Sequence, residues 1–476
     1  MPDIVFATQS YQSRSLPLSA MRTCNCFLEK QPPGAKSQTP LFGTPGLTAW
    51  VTLPKGPVRG LWNFQGTLYA VSGDTLYRVN SAGGYKALGS GIAGSGVVSM
   101  SDNGIQVMVV NGQGGFLVDA TDHFQQVQNA NFYSAAKVLF FDGYFVFDRK
   151  GTNEFFVSAL YDGTSYNGLG FASAEAQPGF LRAVAQNIQL LFLFAQNHIE
   201  MWYDAGTAQQ PFQRYSGGVI EKGCEAPYTV INQDEAIFFL GTDKVFYRLQ
   251  GNTPIRVSNH AIEHAIATYP VVNDAFCFTY TLEGHKMVHL TFPTAGHSWV
   301  YDISTGLWHE RESRDANGVL LGRWRGNCAF EIYDKILIGD SVDGTISILD
   351  WNNYTERGNP MQMLVHSAPI HQDRLPIFID RLELDMQTGY GITTANPNPS
   401  GAAPAPQAML RYSKDGGVTW SRLQQWRSLG KIGEYVKRLR WLNIGRGYQF
   451  VFELTISDPV PRVLIATHGD AEVGMA

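Results

Sequence analysis

Seven times between Arg59 and Asp350 the sequence repeats one phrase: an apolar run, a tight turn carrying Gly, Asn or Asp, and a second apolar run. The turns centre on Gly66, Gly104, Gly143, Asn187, Asp234, Gly284 and Asp334, as in WNFQGTLYAV, LFFDGYFVF and YTLEGHKMVHLTF. Their spacing is 38 and 39 residues at first and drifts to 50. A lone hairpin cannot cover both of its apolar faces, so units of this period are stable only against one another, and a radial β-propeller is the expected fold. Later strands such as Thr75–Val79, Gly115–Ala120 and Thr345–Trp351 supply the outer half of each four-stranded blade. The drift in spacing leaves six or seven blades open, and a strand borrowed from either terminus can close the ring.

The chain has 476 residues, enough for a large ring and a second, smaller unit. With 49 Gly, 28 Phe, 21 Tyr and 10 Trp against 16% charged residues, it describes short strands, tight turns and aromatic packing, which sets it apart from helical and disordered chains. The formal charge of −5 argues against a grip on nucleic acid through phosphate neutralisation. No basic segment followed by an apolar core opens the sequence, so the reading is a protein made in a cytoplasm. The run Leu190 to Ala195 is too short to span a membrane and reads as a buried strand, so a soluble chain with no membrane-spanning segment is expected. Five dispersed cysteines, Cys24, Cys26, Cys224, Cys277 and Cys328, read as reduced thiols.

Three regions follow. Residues 1–50 lack periodic apolar pattern and end in KQPPGAKSQTPLFGTPGL, an extended N-terminal arm ordered by what it lies against. Residues 51–357 carry the propeller. Residues 358–476 change character: Ile377–Gln387, Ala408–Gly417, Val436–Gly445, Gln449–Ile456 and Arg462–His468 alternate apolar and polar, as in a C-terminal β-sandwich with one wet face. A low-complexity loop, 393–407, interrupts it. One helix is expected, Ser258 to Tyr269, capped by Ser258, striped by Ile262 and Ile266 and stopped by Pro270.

Several patterns could carry chemistry. His260, Glu263 and His264 fit H-x-x-E-H, the spacing of a zinc hydrolase with a glutamate base. No third ligand is marked, and the amphipathic clip explains the same residues. Gly89, Gly91 and Gly94 spell G-x-G-x-x-G, but a strand follows where a dinucleotide site needs a helix, so an inter-blade crossing is the better reading. Ser413, Asp415, Gly417, Thr419 and Trp420 form an Asp-box, a turn brace resembling those of sialidases and other propeller glycosidases. It makes a carbohydrate-active propeller, hydrolase or lectin, the alternative reading. Cys24 and Cys26 have too few neighbouring ligands for a metal. The basic residues Arg411, Arg422, Arg427, Lys431, Lys437, Arg438, Arg440 and Arg446, interleaved with Trp420, Trp426 and Trp441, read first as outward charges on half-exposed strands, with DNA or an acidic partner ring as the functional reading. No catalytic, cofactor-binding or metal-ligating residue is assigned, and no cofactor is expected.

The opening segment with Arg22, Asn25, Glu29, Pro33-Gly34-Ala35-Lys36 and Thr44-Pro45-Gly46-Leu47 resembles the start of the tail hub proteins of short-tailed phages, also called packaged-DNA stabilisation proteins or tail nozzles. The run from Gly339 and Asp340 through Asp343-Gly344 to Asp350 is similar to the same family, as are Leu410–Ser413, Asp415-Gly416-Gly417, Trp420, Gly433-Glu434-Tyr435, Arg440-Trp441 and Asp458-Pro459-Val460-Pro461. The resemblance implies a structural virion protein of the phage tail, assembled in the bacterial host cytoplasm as a homo-oligomer, a hexameric ring below the portal and adaptor. It implies that the ring retains packaged double-stranded DNA with a needle, plug or gating loops. It also implies that the ring conducts DNA during ejection without sequence-specific binding and anchors tail fibres or tailspikes. The family contributes no catalytic residues. A mildly acidic subunit suits a conduit, because every phosphate it neutralised would slow transit.

Overall fold

The computed structural model describes residues 4–207, 209–393 and 405–474. Five separate four-stranded antiparallel sheets follow one another in the chain, and two further four-stranded antiparallel units of the same build lie within larger sheets. Their first strands are Val58–Phe64, Ser99–Asp102, Val138–Phe141, Leu181–Asn187, Ile231–Gln233, Phe276–Leu282 and Gly326–Ile332. Each packs against the first strand of the next sheet, and the seventh packs back on the first, so the ring is closed. All seven repeated phrases in the sequence are the opening hairpins of these sheets. In five of them both turn residues have positive φ, at Gln65-Gly66, Asp142-Gly143, Asp234-Glu235, Glu283-Gly284 and Tyr333-Asp334. That is the turn whose twist matches right-twisted strands, which is why Gly, Asn and Asp punctuate the repeat.

The core lies between blades rather than inside any one of them. Phe141, Val146 and Phe155 of the third sheet interlock with Leu191, Leu193 and Trp202 of the fourth. Phe238 and Phe246 of the fifth meet Val288, Leu290 and Trp308 of the sixth. Each fully buried Phe or Leu contributes roughly 1.5–3 kcal/mol that an isolated sheet would forgo.

The N-terminal segment is extended, and its short strands are shared among three neighbours. Gly46–Thr52 is the outer strand of the seventh blade, paired with Thr345–Asp350 through Ile346–Val51 and Ile348–Thr48. Cys26–Leu28 and Leu41–Gly43 form a hairpin that joins the sandwich strand Val463–Val473. Thr23–Cys24 runs parallel to the outer strand of the sixth blade, Leu307–Glu310, and antiparallel to the sandwich strand Met363–His366. One continuous sheet therefore passes from Phe276–Leu282 on the ring axis to Gln425–Ser428 at the far edge of the sandwich. A charged latch sits on this joint. The Arg22 guanidinium donates from Nε and Nη2 to Glu310 Oε2 at 2.9 and 2.8 Å, and the Ser10 hydroxyl donates to Glu310 Oε1 at 2.9 Å. Burial would raise the Glu310 carboxyl, but the charges of Arg22 and His297 outweigh it and hold it below the ordinary range.

The sandwich closes around Leu382, Leu384, Trp441, Phe450, Phe452 and Leu454. Its strands depart from the sequence reading at their ends. One begins at Leu439, because Val436 is 93% exposed and precedes the alternation, and the last runs on to Val473. Most of the loop 393–407, residues 394–404, lies outside the described residues. The helix is His260–Thr268, and its cap is Asn259, not Ser258: the Asn259 side chain accepts the Ile262 N–H at 3.0 Å. Ser258 instead accepts the Phe246 N–H at 3.0 Å and donates to Glu263 at 2.7 Å, which ties the clip to the fifth blade. Ile262 and Ile266 are fully buried as expected.

Candidate functional site

Four chemical patterns were legible in the sequence, and the structure places each in a mechanical setting. Arg256 donates to both Glu263 oxygens, at 2.7 and 2.5 Å, and meets His260 Nδ1 at 2.7 Å, while His260 and His264 point to solvent. The glutamate that would serve as a base is thus held by a guanidinium. Among the described residues no group of three His, Cys, Asp or Glu is placed to hold a metal. Gly89 ends an outer strand under the Phe124 ring, and Gly91 and Gly94 lie in the crossing to the second blade. There the buried Arg59 guanidinium gathers the carbonyls of Gly73, Ile92, Ala93 and Gly96.

In the Asp-box, the Ser413 hydroxyl donates to Asp415 at 2.6 Å, and Asp415 accepts the Val418 and Thr419 N–H groups at 3.1 and 2.8 Å. Burial would raise its carboxyl, but these bonds pull it down to about 2. Its acceptor capacity is spent on its own loop. Trp420 packs against His366 and beneath Arg411, each at 5.0 Å. Cys24 and Cys26 are buried in the joint strands, and burial pushes the Cys26 thiol up to about 12.

The ring axis holds a cavity of about 420 Å³ lined by Trp62, Ser101, Asp102, Lys137, Gln186 and Asn232. Trp62 Nε1 donates to Asp102 at 2.8 Å, and Lys137 Nζ donates to the Val230 carbonyl at 3.0 Å. Burial lowers the Lys137 ammonium and raises the Asp148 carboxyl beneath it to about 7, although Asp148 accepts the Lys137 N–H at 2.6 Å. These groups brace the inner strands.

Charge is unevenly placed on the ring. The opening turns of successive blades sit side by side on one face: Gln65 reaches the Gly104 carbonyl at 2.8 Å, Asn187 the Glu235 carbonyl at 3.0 Å, and Lys286 the Asp234 carboxylate. Because strands alternate in direction, each blade's second pair turns back at the same end. This face carries Asp142, Asp204, Glu235, Glu283 and Asp334, none in an ion pair among the described residues. Burial and the neighbouring Asp204 hold the Asp142 carboxyl above its ordinary range. The acids stand at repeat turns in the sequence, but that they share one face follows only from the closed ring.

The sandwich is the basic counterpart. Arg411 is paired with Glu453, Lys437 with Glu434, and Arg438 and Arg440 with Glu383. Arg422, Arg427, Lys431 and Arg446 have no ion-pair partner among the described residues. Of the three interleaved tryptophans, Trp441 is buried and Trp426 is 57% exposed.

Family comparison matches residues 19–354 to a family described as bacteriophage P22 Gp10, beta-propeller, and residues 363–472 to one described as bacteriophage P22 Gp10, beta-sandwich. Among solved structures, the N-terminal domain of Nup159 is similar over 69% of this chain and 99% of its own, at 12% identity and a TM-score of 0.41. The computationally designed Ika8 protein is similar over 63% of this chain and 99% of its own, at 13% identity and a TM-score of 0.37. PorZ, of the type-IX secretion system of Porphyromonas gingivalis, is similar over 64% of this chain and 38% of its own, at 11% identity and a TM-score of 0.37.

Proposed function

Because the chain belongs to the bacteriophage P22 Gp10 family of phage tail structural proteins associated with packaged-DNA stabilisation, we propose that six copies form a hub or nozzle ring beneath the portal and adaptor of a virion. The ring retains the packaged double-stranded DNA, conducts it outward during ejection and anchors fibres or spikes. We read its subunit as an arm (1–50) whose end, in Gly46–Thr52, closes the seventh blade, a propeller (51–357) and a sandwich (358–476), working without a cofactor or catalytic residue.

The observation that carries this reading is the order and extent of the family match, which takes in propeller and sandwich in succession along nearly the whole chain. Two physical features support it. The acidic turn face repels phosphate, as a conduit wall should. The shared sheet ties ring and sandwich together by main-chain pairing, suited to a component that stays in place while DNA moves past. The test is electron microscopy of the assembled chain and of particles made without it. A sixfold annulus, and particles that lose their DNA without this chain, are expected. Particles that retain their DNA and infect normally would overturn the proposal.

A further inference from the structure

The apolar face that the fourth blade turns toward the fifth is not covered along its whole length. Phe192, Phe194, Ile199 and Met201 meet Ile237, Phe239, Tyr247 and Leu249 of the fifth blade in one buried core. Alternation along Ile199–Asp204 puts Tyr203 on the same side as Ile199 and Met201. Beside the opening turn of the fourth blade this core gives way to a groove of about 510 Å³. The fourth blade lines it with Leu190, Phe192, Tyr203 and Tyr215, and the fifth brings only Gly251 and Asn252, from the turn between its two outer strands. The rings are therefore left partly bare: Tyr203 is 38% and Tyr215 47% exposed. Ile188 of the opening turn also lines the groove, 83% exposed and in the left-handed region at φ 55°, which a β-branched side chain seldom adopts.

The lining narrows the chemistry of a ligand. Among the described residues it consists of aromatic rings, aliphatic side chains, a glycine and the carboxamides of Asn187, Gln189 and Asn252, with no charged side chain. The Tyr203 hydroxyl donates to Gln213 Oε1 at 3.3 Å, which fixes the ring, and Asn187 donates to the Glu235 carbonyl at 3.0 Å. Gln189 and Asn252 make no side-chain hydrogen bond among the described residues, so both ends of each amide are open to a ligand. A pyranose ring matches this set. Its C–H faces lie on the electron-rich faces of tyrosine, and its vicinal hydroxyls donate and accept at once, as a carboxamide does. A proline-rich segment, the usual peptide for an aromatic groove, has few N–H groups to give and would leave the amide oxygens without donors. A phosphate or carboxylate meets no cation here.

We propose that this groove is a binding subsite for a neutral saccharide, which rests a pyranose ring on Tyr203 and Tyr215 and sets its hydroxyls against Gln189 and Asn252. Its volume falls within the range of about 300–1,000 Å³ usual for small-molecule clefts. With no carboxyl group in the lining, the groove retains a sugar and does not hydrolyse it. It lies within a single chain, away from the Asp-box turn of the sandwich, and does not depend on assembly into a ring.

The test uses the full chain with a panel of neutral hexasaccharides of glucose, galactose, mannose and rhamnose, and with sialyllactose and a proline-rich decapeptide as the acidic and peptide probes. Saturation-transfer NMR detects binding, and titration of the strongest neutral probe is expected to saturate with a Kd of about 1 mM or tighter. Tyr215→Ala, and separately Gln189→Ala with Asn252→Ala, are expected to weaken that binding about tenfold. Tyr215→Phe keeps the ring and is expected to keep the affinity. All these positions are exposed, so circular dichroism and melting are expected to match the unaltered chain. Three results each overturn the subsite: no neutral probe binds up to about 10 mM, either folded alanine variant binds as well as the unaltered chain, or sialyllactose or the decapeptide binds more tightly and loses affinity in the same variants. Each of them leaves the ring assembly standing.

Discussion

Glu453 shows how one side chain can set the acid limit of a domain. Its carboxylate, 4% exposed, receives Arg411 Nε at 2.5 Å and Nη2 at 2.7 Å and lies 3.1 Å from His366 Nε2, while His366 Nδ1 lies 2.7 Å from the Ala20 carbonyl. Burial alone would raise it, but the bonds from His366 and Arg411 bring it from 4.5 down to about 2. A carboxyl depressed on folding adds stability that is full above its unfolded value and is lost as pH falls through the folded one. The sandwich should therefore lose on the order of 3 kcal/mol as pH drops from above 5 to 2. Glu453→Gln should lose a similar amount at pH 7 and flatten that acid limb. Urea unfolding of the full chain at several pH values measures both, and an unchanged acid limb in the variant would refute the assignment. The sequence offered no sign of this cluster, because its bonded partners lie between 42 and 346 positions apart. Arg411 was visible only as one of a row of basic residues.

At the scale of elements, the N-terminal segment does work that its composition conceals. Three of its pieces close the seventh blade, extend the sandwich and seam the sandwich to the sixth blade. Two truncations separate these roles. Removing residues 1–45 keeps the closing strand Gly46–Thr52 and should leave a folded ring with a loosened, protease-sensitive sandwich. Removing residues 1–53 also strips the outer strand of the seventh blade and should open the ring, exposing Leu337 and Ile346 to solvent. Limited proteolysis with mass analysis distinguishes the two, and equal resistance would show that the closing strand is dispensable. The hairpins of the propeller were readable because turn chemistry and apolar alternation are local. The joint strands, two or three residues long, carry too few positions for a period to register, and the partners of Thr23–Cys24 lie hundreds of residues away. The cap was misplaced by one position because Ser258 and Asn259 both suit it, and only the path of the preceding strand selects between them.

For the whole molecule, charge separates into an acidic ring face and a basic sandwich flank, a division that the near-neutral total concealed. The isolated chain should bind a short DNA duplex no more tightly than about 100 μM at about 150 mM salt. Fluorescence anisotropy across a salt series would reveal it, and micromolar, steeply salt-dependent binding would contradict the role of a passive conduit. The propeller and sandwich were legible from repeat and alternation. The acidic face and its groove become visible only once seven hairpins stand in a circle. The continuous sheet has a last consequence, a mechanical one. It is broad on either side of Thr23–Cys24 but narrows there to a single pairing with Glu310 and two with Val365 and Leu364, reinforced by the Arg22 latch. A tensile load drawing the sandwich away from the ring along this sheet therefore falls on that neck and on the Asn25 N–H bond to the Glu310 carbonyl beside it.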